Sequence, residues 1–176
     1  QPFAGAMGAR VTGVDLNDVS EETFAEIEAA LFHHKVVCFP GQQLSHANHE
    51  AFTARFGSFA TDAFTPGLEG FEGIQPVIKE VEATVPMVFG GSWHTDSAFL
   101  ASPPSITTLH AIEVPEFGGD TLYTNTALAY RALSETMRSM IAPLRVHMSA
   151  EKVLAGRARR GNRSNINAMT DKEDEW

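Results

Sequence analysis

The apolar positions of the first third of the chain keep a regular period. Phe24, Ile27 and Leu31 fall at i, i+3 and i+7 behind Ser20 and the acidic pair Glu21-Glu22. That pattern predicts an amphipathic helix from Ser20 to His34, with Ser20 as N-cap and two carboxylates at the positive end of the helix dipole. Arg10 to Leu16 reads as a short strand ended by Asn17-Asp18. Lys35 to Phe39 is a continuous apolar strand stopped by Pro40-Gly41. Ser45 begins a second helix running to about Phe56, with Gly57 at its C-terminal end. Then the period is lost. Ser58 to Gly73 is rich in Gly, Phe and Pro and predicts a long loop. Ile74 to Val81, Ser92 to Phe99 and Ser105 to Val114 read as strands, with a loop from Thr84 to Gly91. Gly118-Gly119 predicts a tight turn into a short strand, Asp120 to Thr124. Two adjoining helices, Thr126 to Leu133 and Ser134 to Ile141, precede a last strand from Leu144 to Ser149. Strand and helix signals alternate with no internal repeat.

Composition narrows the class. The 176 residues are 43% hydrophobic and 20% charged, as in ordinary globular proteins, and their number fits one domain and leaves little room for two. The net charge of -9 argues against nucleic acid as a partner, because a phosphate-binding face needs a basic excess. No apolar stretch reaches the roughly 20 residues of a membrane span, and no basic-then-apolar signal segment opens the chain, so the cytoplasm is the expected compartment. The first residue is Gln1 rather than Met, so the natural N-terminus is expected to be trimmed or to lie further upstream. The single cysteine, Cys38, excludes an internal disulfide and, inside Val36-Val37-Cys38-Phe39, reads as a small core residue. The last segment differs from the rest. Lys152 to Arg163 holds four arginines and Asp171 to Glu175 four acids, which reads as a solvated tail rather than an anion-binding face.

The strongest local chemistry is Trp93-His94-Thr95-Asp96. On a strand, side chains two apart share a face, so an imidazole nitrogen and a carboxylate oxygen can take adjacent positions on one metal ion. Together they supply two members of a two-His-one-carboxylate facial triad, which leaves open positions on Fe(II). A bare His-x-Asp is a weak signal. Its surroundings are not.

Gly91-Ser92-Trp93-His94-Thr95-Asp96-Ser97-Ala98-Phe99-Leu100, then Pro103-Pro104, Val114-Pro115 and Gly118-Gly119-Asp120-Thr121-Leu122-Tyr123, closely resemble the taurine dioxygenase/TfdA family of Fe(II)- and 2-oxoglutarate-dependent dioxygenases. The likeness extends upstream to Val11-Thr12-Gly13-Val14-Asp15-Leu16, Phe39-Pro40-Gly41-Gln42 and Arg55-Phe56-Gly57. Downstream it runs through Ala129-Tyr130 and Leu133-Ser134 to Leu144-Arg145-Val146-His147. The resemblance implies that His94 and Asp96 are iron ligands at the catalytic centre. It also implies that the Thr121 hydroxyl binds a carboxylate of the cosubstrate 2-oxoglutarate, as a donor after a Gly-Gly turn can. Trp93 is then a wall of the site. The implied fold is mainly β with flanking helices: a double-stranded β-helix, or jelly-roll barrel, incomplete in this chain. Residues 1–176 would be the N-terminal and central part of one dioxygenase domain.

The family's distal His ligand and its 2-oxoglutarate-binding Arg find no match in this sequence. His147, 51 residues after Asp96, with Arg157 10 further on, imitates that pair, but His147 matches a family position that is not a ligand. His110 reads as a packed strand histidine, His33 and His34 as the end of a helix, and His46 and His49 as surface positions on the second helix. The implied reaction uses O2 to hydroxylate a small organic acid of sulfonate, sulfate ester or phenoxyalkanoate type, releasing succinate and CO2. Gly90 stands where the taurine enzyme presents an asparagine to its substrate, which disfavours taurine itself. Val88 to Ser97 looks closer to the phenoxypropionate branch, and Phe59, Phe64 and Phe71 either line a pocket or anchor their loop. The resemblance also implies a homo-oligomer. Two rivals stand beside this reading: a truncated, catalytically inactive homologue, and a hydrolytic metalloenzyme on a cupin-like barrel, against which the Gly-Gly-Asp-Thr turn argues.

Overall fold

A computed structural model of the chain describes residues 1–60, 67–78 and 92–151. They fall into two compact units. The first comprises Gln1–Phe52 with Leu109–Arg145, and the second lies within Thr53–Thr108 and Val146–Trp176.

The first unit is built on a parallel pair of short strands, β1 (Ala9–Arg10) and β2 (Val37–Cys38), in the register Ala9↔Val37 and Arg10↔Cys38. Parallel strands need a crossover of a dozen residues or more. Here α1 (Glu21–His34) supplies it. The Ser20 side chain accepts a hydrogen bond from the Thr23 N–H at 3.1 Å, and Glu21 and Glu22 occupy the first turn, as the sequence predicts. The helix stops at Lys35, whose left-handed backbone (φ 67°) lets its N–H return to the Leu31 carbonyl at 2.7 Å. Gly8 and Ala9 then donate to the His34 and Val36 carbonyls at 2.8 and 3.0 Å, and Val11 to Cys38 at 2.9 Å, which fixes the ladder.

Phe24 and Ile27, on the apolar stripe of α1, are buried with Ala9, Leu16 and Phe52. Phe52 belongs to α2 (His46–Ala54), and its ring meets those of Phe24 and Phe39 edge-on, each with centroids 6.1 Å apart. The loop between the two strand positions is tied down by side chains. Gln42 accepts from the Leu16 N–H at 2.9 Å and donates to the Val14 carbonyl at 3.0 Å, taking the place of a missing strand neighbour. Asp15 accepts from the backbone and side-chain amides of Asn17 at 2.9 and 2.7 Å. The Asn17 backbone N–H first, and its side-chain amide second, hold the Asp15 carboxyl below its ordinary value. Two short helices complete this unit: α3 (Thr126–Ala132), capped by Asn125, and α4 (Glu135–Ile141), capped by Ser134. Asn125 also donates to the Ala6 carbonyl at 3.0 Å.

In the second unit Leu100 and Ala150 are buried, and turns dominate. Leu68 and Phe71 form an isolated bridge, with the Phe71 N–H donating to the Leu68 carbonyl at 2.9 Å, and the Leu68 N–H donates to the Ile74 carbonyl at 2.9 Å.

Several sequence expectations are corrected here. The strand expected over Arg10–Leu16 shrinks to Ala9–Arg10, and that over Lys35–Phe39 to Val37–Cys38. Neither Ser92–Phe99, Ser105–Val114, Asp120–Thr124, Leu144–Ser149 nor the described part of Ile74–Val81 forms a strand. A strand requires a neighbour to take its backbone groups, and among the described residues these segments find none. Cys38 is exposed rather than in the core. Alternate residues of a short strand point to opposite faces, and Cys38 takes the outward one. The loop from Thr84 to Gly91, the residues Phe64 and Gly90 and the charged tail from Lys152 onward lie outside the described residues. Among the described residues no helix is long and apolar enough to cross a membrane.

Candidate metal centre

His94 and Asp96 lie in the second unit, on a bend followed by a turn rather than on a strand. The turn is closed by the Leu100 N–H donating to the Ser97 carbonyl at 3.0 Å, with Ser97 at φ 44°. The convergence expected of these two side chains is nevertheless present, through local hydrogen bonds instead of strand alternation. His94 Nδ1 stands 2.7 Å from the Ser92 carbonyl oxygen, which can only accept, so Nδ1 carries the proton. The other ring nitrogen, Nε2, faces Asp96 Oδ1 at 3.3 Å. The other carboxylate oxygen, Oδ2, accepts from the Thr107 hydroxyl at 2.7 Å.

A ring nitrogen and a carboxylate oxygen facing one another can hold a proton or a metal ion between them. Two donors bound cis at about 2.1 Å from one first-row divalent ion stand about 3 Å apart, close to the observed separation. The pair therefore fits a metal ion such as Fe(II), in both donor type and spacing. Both side chains are half exposed, at 50% and 47%, so the position between them is open to entering ligands. Among the described residues no third His, Cys, Asp or Glu joins them.

Thr121 belongs to the first unit and is exposed. Asp120 separates it from Gly118-Gly119, where φ values of 79° and 75° require a backbone that glycine adopts without a steric cost. Trp93 is 69% exposed. His147 is exposed within the second unit, and Arg157 lies outside the described residues.

One histidine of the first unit differs from its sequence reading. His49 is partly buried rather than on the surface, and its ring meets that of His110 with centroids 5.7 Å apart at 69°. Burial, with His110 and His46 nearby, pushes the His49 imidazole below its ordinary pKa. A cleft of about 310 Å³ in the same unit is lined by Val14, Asp15, Asn17, Gly41, Gln42 and Gln43. Its polar groups are largely spent on each other, and it holds no ligand-ready pair.

Sequence reasoning missed Thr107. Its position in Ser105–Val114 read only as a β-branched strand residue, and nothing in the local pattern signals a hydroxyl partnered 11 residues upstream.

Comparison with known proteins gives the family. The family model described as "Taurine catabolism dioxygenase TauD, TfdA family" matches residues 1–173. The chain belongs to this family. It is 33% identical over 141 residues to an alpha-ketoglutarate-dependent sulfate ester dioxygenase of Pseudomonas putida, covering 79% of this chain and 45% of that protein. It is 30% identical over 147 residues to an (S)-phenoxypropionate/alpha-ketoglutarate-dioxygenase of Delftia acidovorans, covering 80% and 50%. The crystal structure of a taurine dioxygenase from Burkholderia xenovorans superposes with a TM-score of 0.63 at 30% identity, covering 81% of this chain and 51% of that one. The chain thus shares the fold of taurine dioxygenases over the aligned part, and spans about half the length of the TauD/TfdA relatives it matches.

Proposed function

We propose that this chain is the N-terminal and central part of an Fe(II)- and 2-oxoglutarate-dependent dioxygenase domain of jelly-roll type, which hydroxylates a small organic acid. The observation that carries the reading is the convergence of His94 Nε2 and Asp96 Oδ1 at 3.3 Å, within a TauD/TfdA sequence context. When bound there, iron would supply the redox chemistry that couples the conversion of 2-oxoglutarate and O2 to succinate and CO2 with insertion of one oxygen atom into a substrate C–H bond. The chain's own residues would hold and orient. Ser92 fixes the His94 tautomer through Nδ1. Asp96 offers one oxygen and compensates charge, and the Thr121 hydroxyl donates to a carboxylate of 2-oxoglutarate.

The substrate belongs to the sulfonate, sulfate ester or phenoxyalkanoate type, the kinds of molecule named for the related enzymes. In the cell the protein is read as a cytoplasmic homo-oligomer.

The test is succinate release from 2-oxoglutarate in the presence of Fe(II), O2 and a panel of alkyl sulfates, alkanesulfonates and phenoxypropionates. At least one class should stimulate turnover, and His94→Ala or Asp96→Ala should abolish it. Full activity in either variant overturns the ligand assignment. Metal binding without turnover on any member of the panel favours an inactive homologue instead.

A further inference from the structure

We infer that Thr107 is a positioning residue for Asp96, setting which carboxylate oxygen faces the metal position. The inference rests on the reading of His94 and Asp96 as metal ligands. A carboxylate has two equivalent oxygens and rotates freely about χ2 unless one is held. Here Oδ2 accepts from Thr107 Oγ1 at 2.7 Å, and this leaves Oδ1 to face His94 Nε2. The Thr107 hydroxyl acts on one ligand as the Ser92 carbonyl acts on the other, so each of the two donor groups has its distal atom fixed by one hydrogen bond.

Thr107 is itself placed by its neighbour. Thr108 Oγ1 lies 2.7 Å from Thr53 Oγ1, a partly buried contact across 55 residues that pins this stretch of chain to the C-terminal turn of α2. The threonine pair thus divides two tasks between adjacent positions: Thr108 anchors the backbone and Thr107 reaches the carboxylate.

Co(II) titration of the protein, followed by its visible absorption, tests this. Thr107→Val removes the hydroxyl at nearly constant volume and should weaken Co(II) affinity by about tenfold or more, the usual effect of losing an outer-sphere partner, and should change the band shape as the carboxylate turns. Thr107→Ser, which keeps the hydroxyl, should restore both. Thr108→Val serves as a comparison that disturbs the backbone anchor without touching the carboxylate. If Thr107→Val leaves affinity and spectrum as they were, or Thr107→Ser fails to rescue them, the positioning role is overturned. If the unsubstituted protein binds no Co(II), or if His94→Ala and Asp96→Ala leave binding unchanged, the ligand reading falls first and takes this inference with it. Loss in those two variants with wild-type behaviour in Thr107→Val removes only the inference.

Discussion

The stretch Gly8–Phe52 and the stretch 92–124 carry similar apolar content and end up in different states. In the first, α1 satisfies its own backbone and brings Val37–Cys38 alongside Ala9–Arg10, so that Phe24, Ile27 and Phe52 become buried. In the second, Leu109, Ile112 and Leu122 remain 69%, 76% and 72% exposed. A helix closes its hydrogen bonds within a few residues, whereas a strand waits for a partner elsewhere in the chain. The second stretch nonetheless contains the paired donors His94 and Asp96, held by single polar contacts from Ser92 and Thr107. Substitutions in the first region should therefore be read in stability, and those in the second in chemistry.

The largest effect on stability belongs to Phe52→Ala. It removes the ring on which Phe24 and Phe39 converge and should cost about 3 kcal/mol in denaturant unfolding. A loss below about 1 kcal/mol would show that the first region does not depend on this cluster, and the contrast would collapse. Gln42→Ala leaves the Leu16 N–H and Val14 carbonyl without their partner and should cost about 1–2 kcal/mol. Gln42→Glu can still accept from Leu16 but cannot donate to Val14, and should fall between the two. Ser20→Ala removes the α1 cap and should cost about 1 kcal/mol.

A smaller, pH-dependent effect comes from His49. Its folded-state pKa lies below the ordinary value of 6.5, so on acidification the unfolded chain takes up this proton first. The corresponding stability is complete above about pH 6.5 and is lost as pH falls from there toward the folded-state pKa. His49→Gln should flatten the dependence of melting temperature on pH between about 7.5 and 5.5. An unchanged slope would mean that His49 does not carry it. The smallest change in stability is expected of Thr107→Val, within about 0.5 kcal/mol, alongside its loss of metal affinity. A large destabilisation there would break the division between a region that folds and a region that binds.

Much of the helical framework was legible in advance. Ser20, Ser45 and Ser134 each cap the helix that the pattern assigned to them, and the caps act over three residues, within reach of sequence reasoning. Glycine at positions 118 and 119 was legible as a place of unusual backbone, and both residues have positive φ there. The convergence of His94 and Asp96 was legible, although the geometry that unites them is a bend and turn and not the strand from which it was argued. Beyond that, local rules ran out. The exposure of Cys38 depended on which face of β2 the crossover helix covers, and the partial burial of His49 on its meeting His110, 61 positions away in sequence.

The sequence by itself determined the helices of this protein, its membership of the TauD/TfdA family and the identity of its two candidate ligands, because periodicity, caps and motif order are properties of neighbouring residues. Only the tertiary structure decided which atoms those ligands present. The Ser92 carbonyl turns His94 Nε2 toward Asp96, and a hydroxyl from Thr107, next to Thr108 with its contact to Thr53, sets which oxygen of Asp96 faces it. Such choices depend on side-chain contacts made across turns and long loops, where the geometry of the folded chain, not the order of residues, selects the partner.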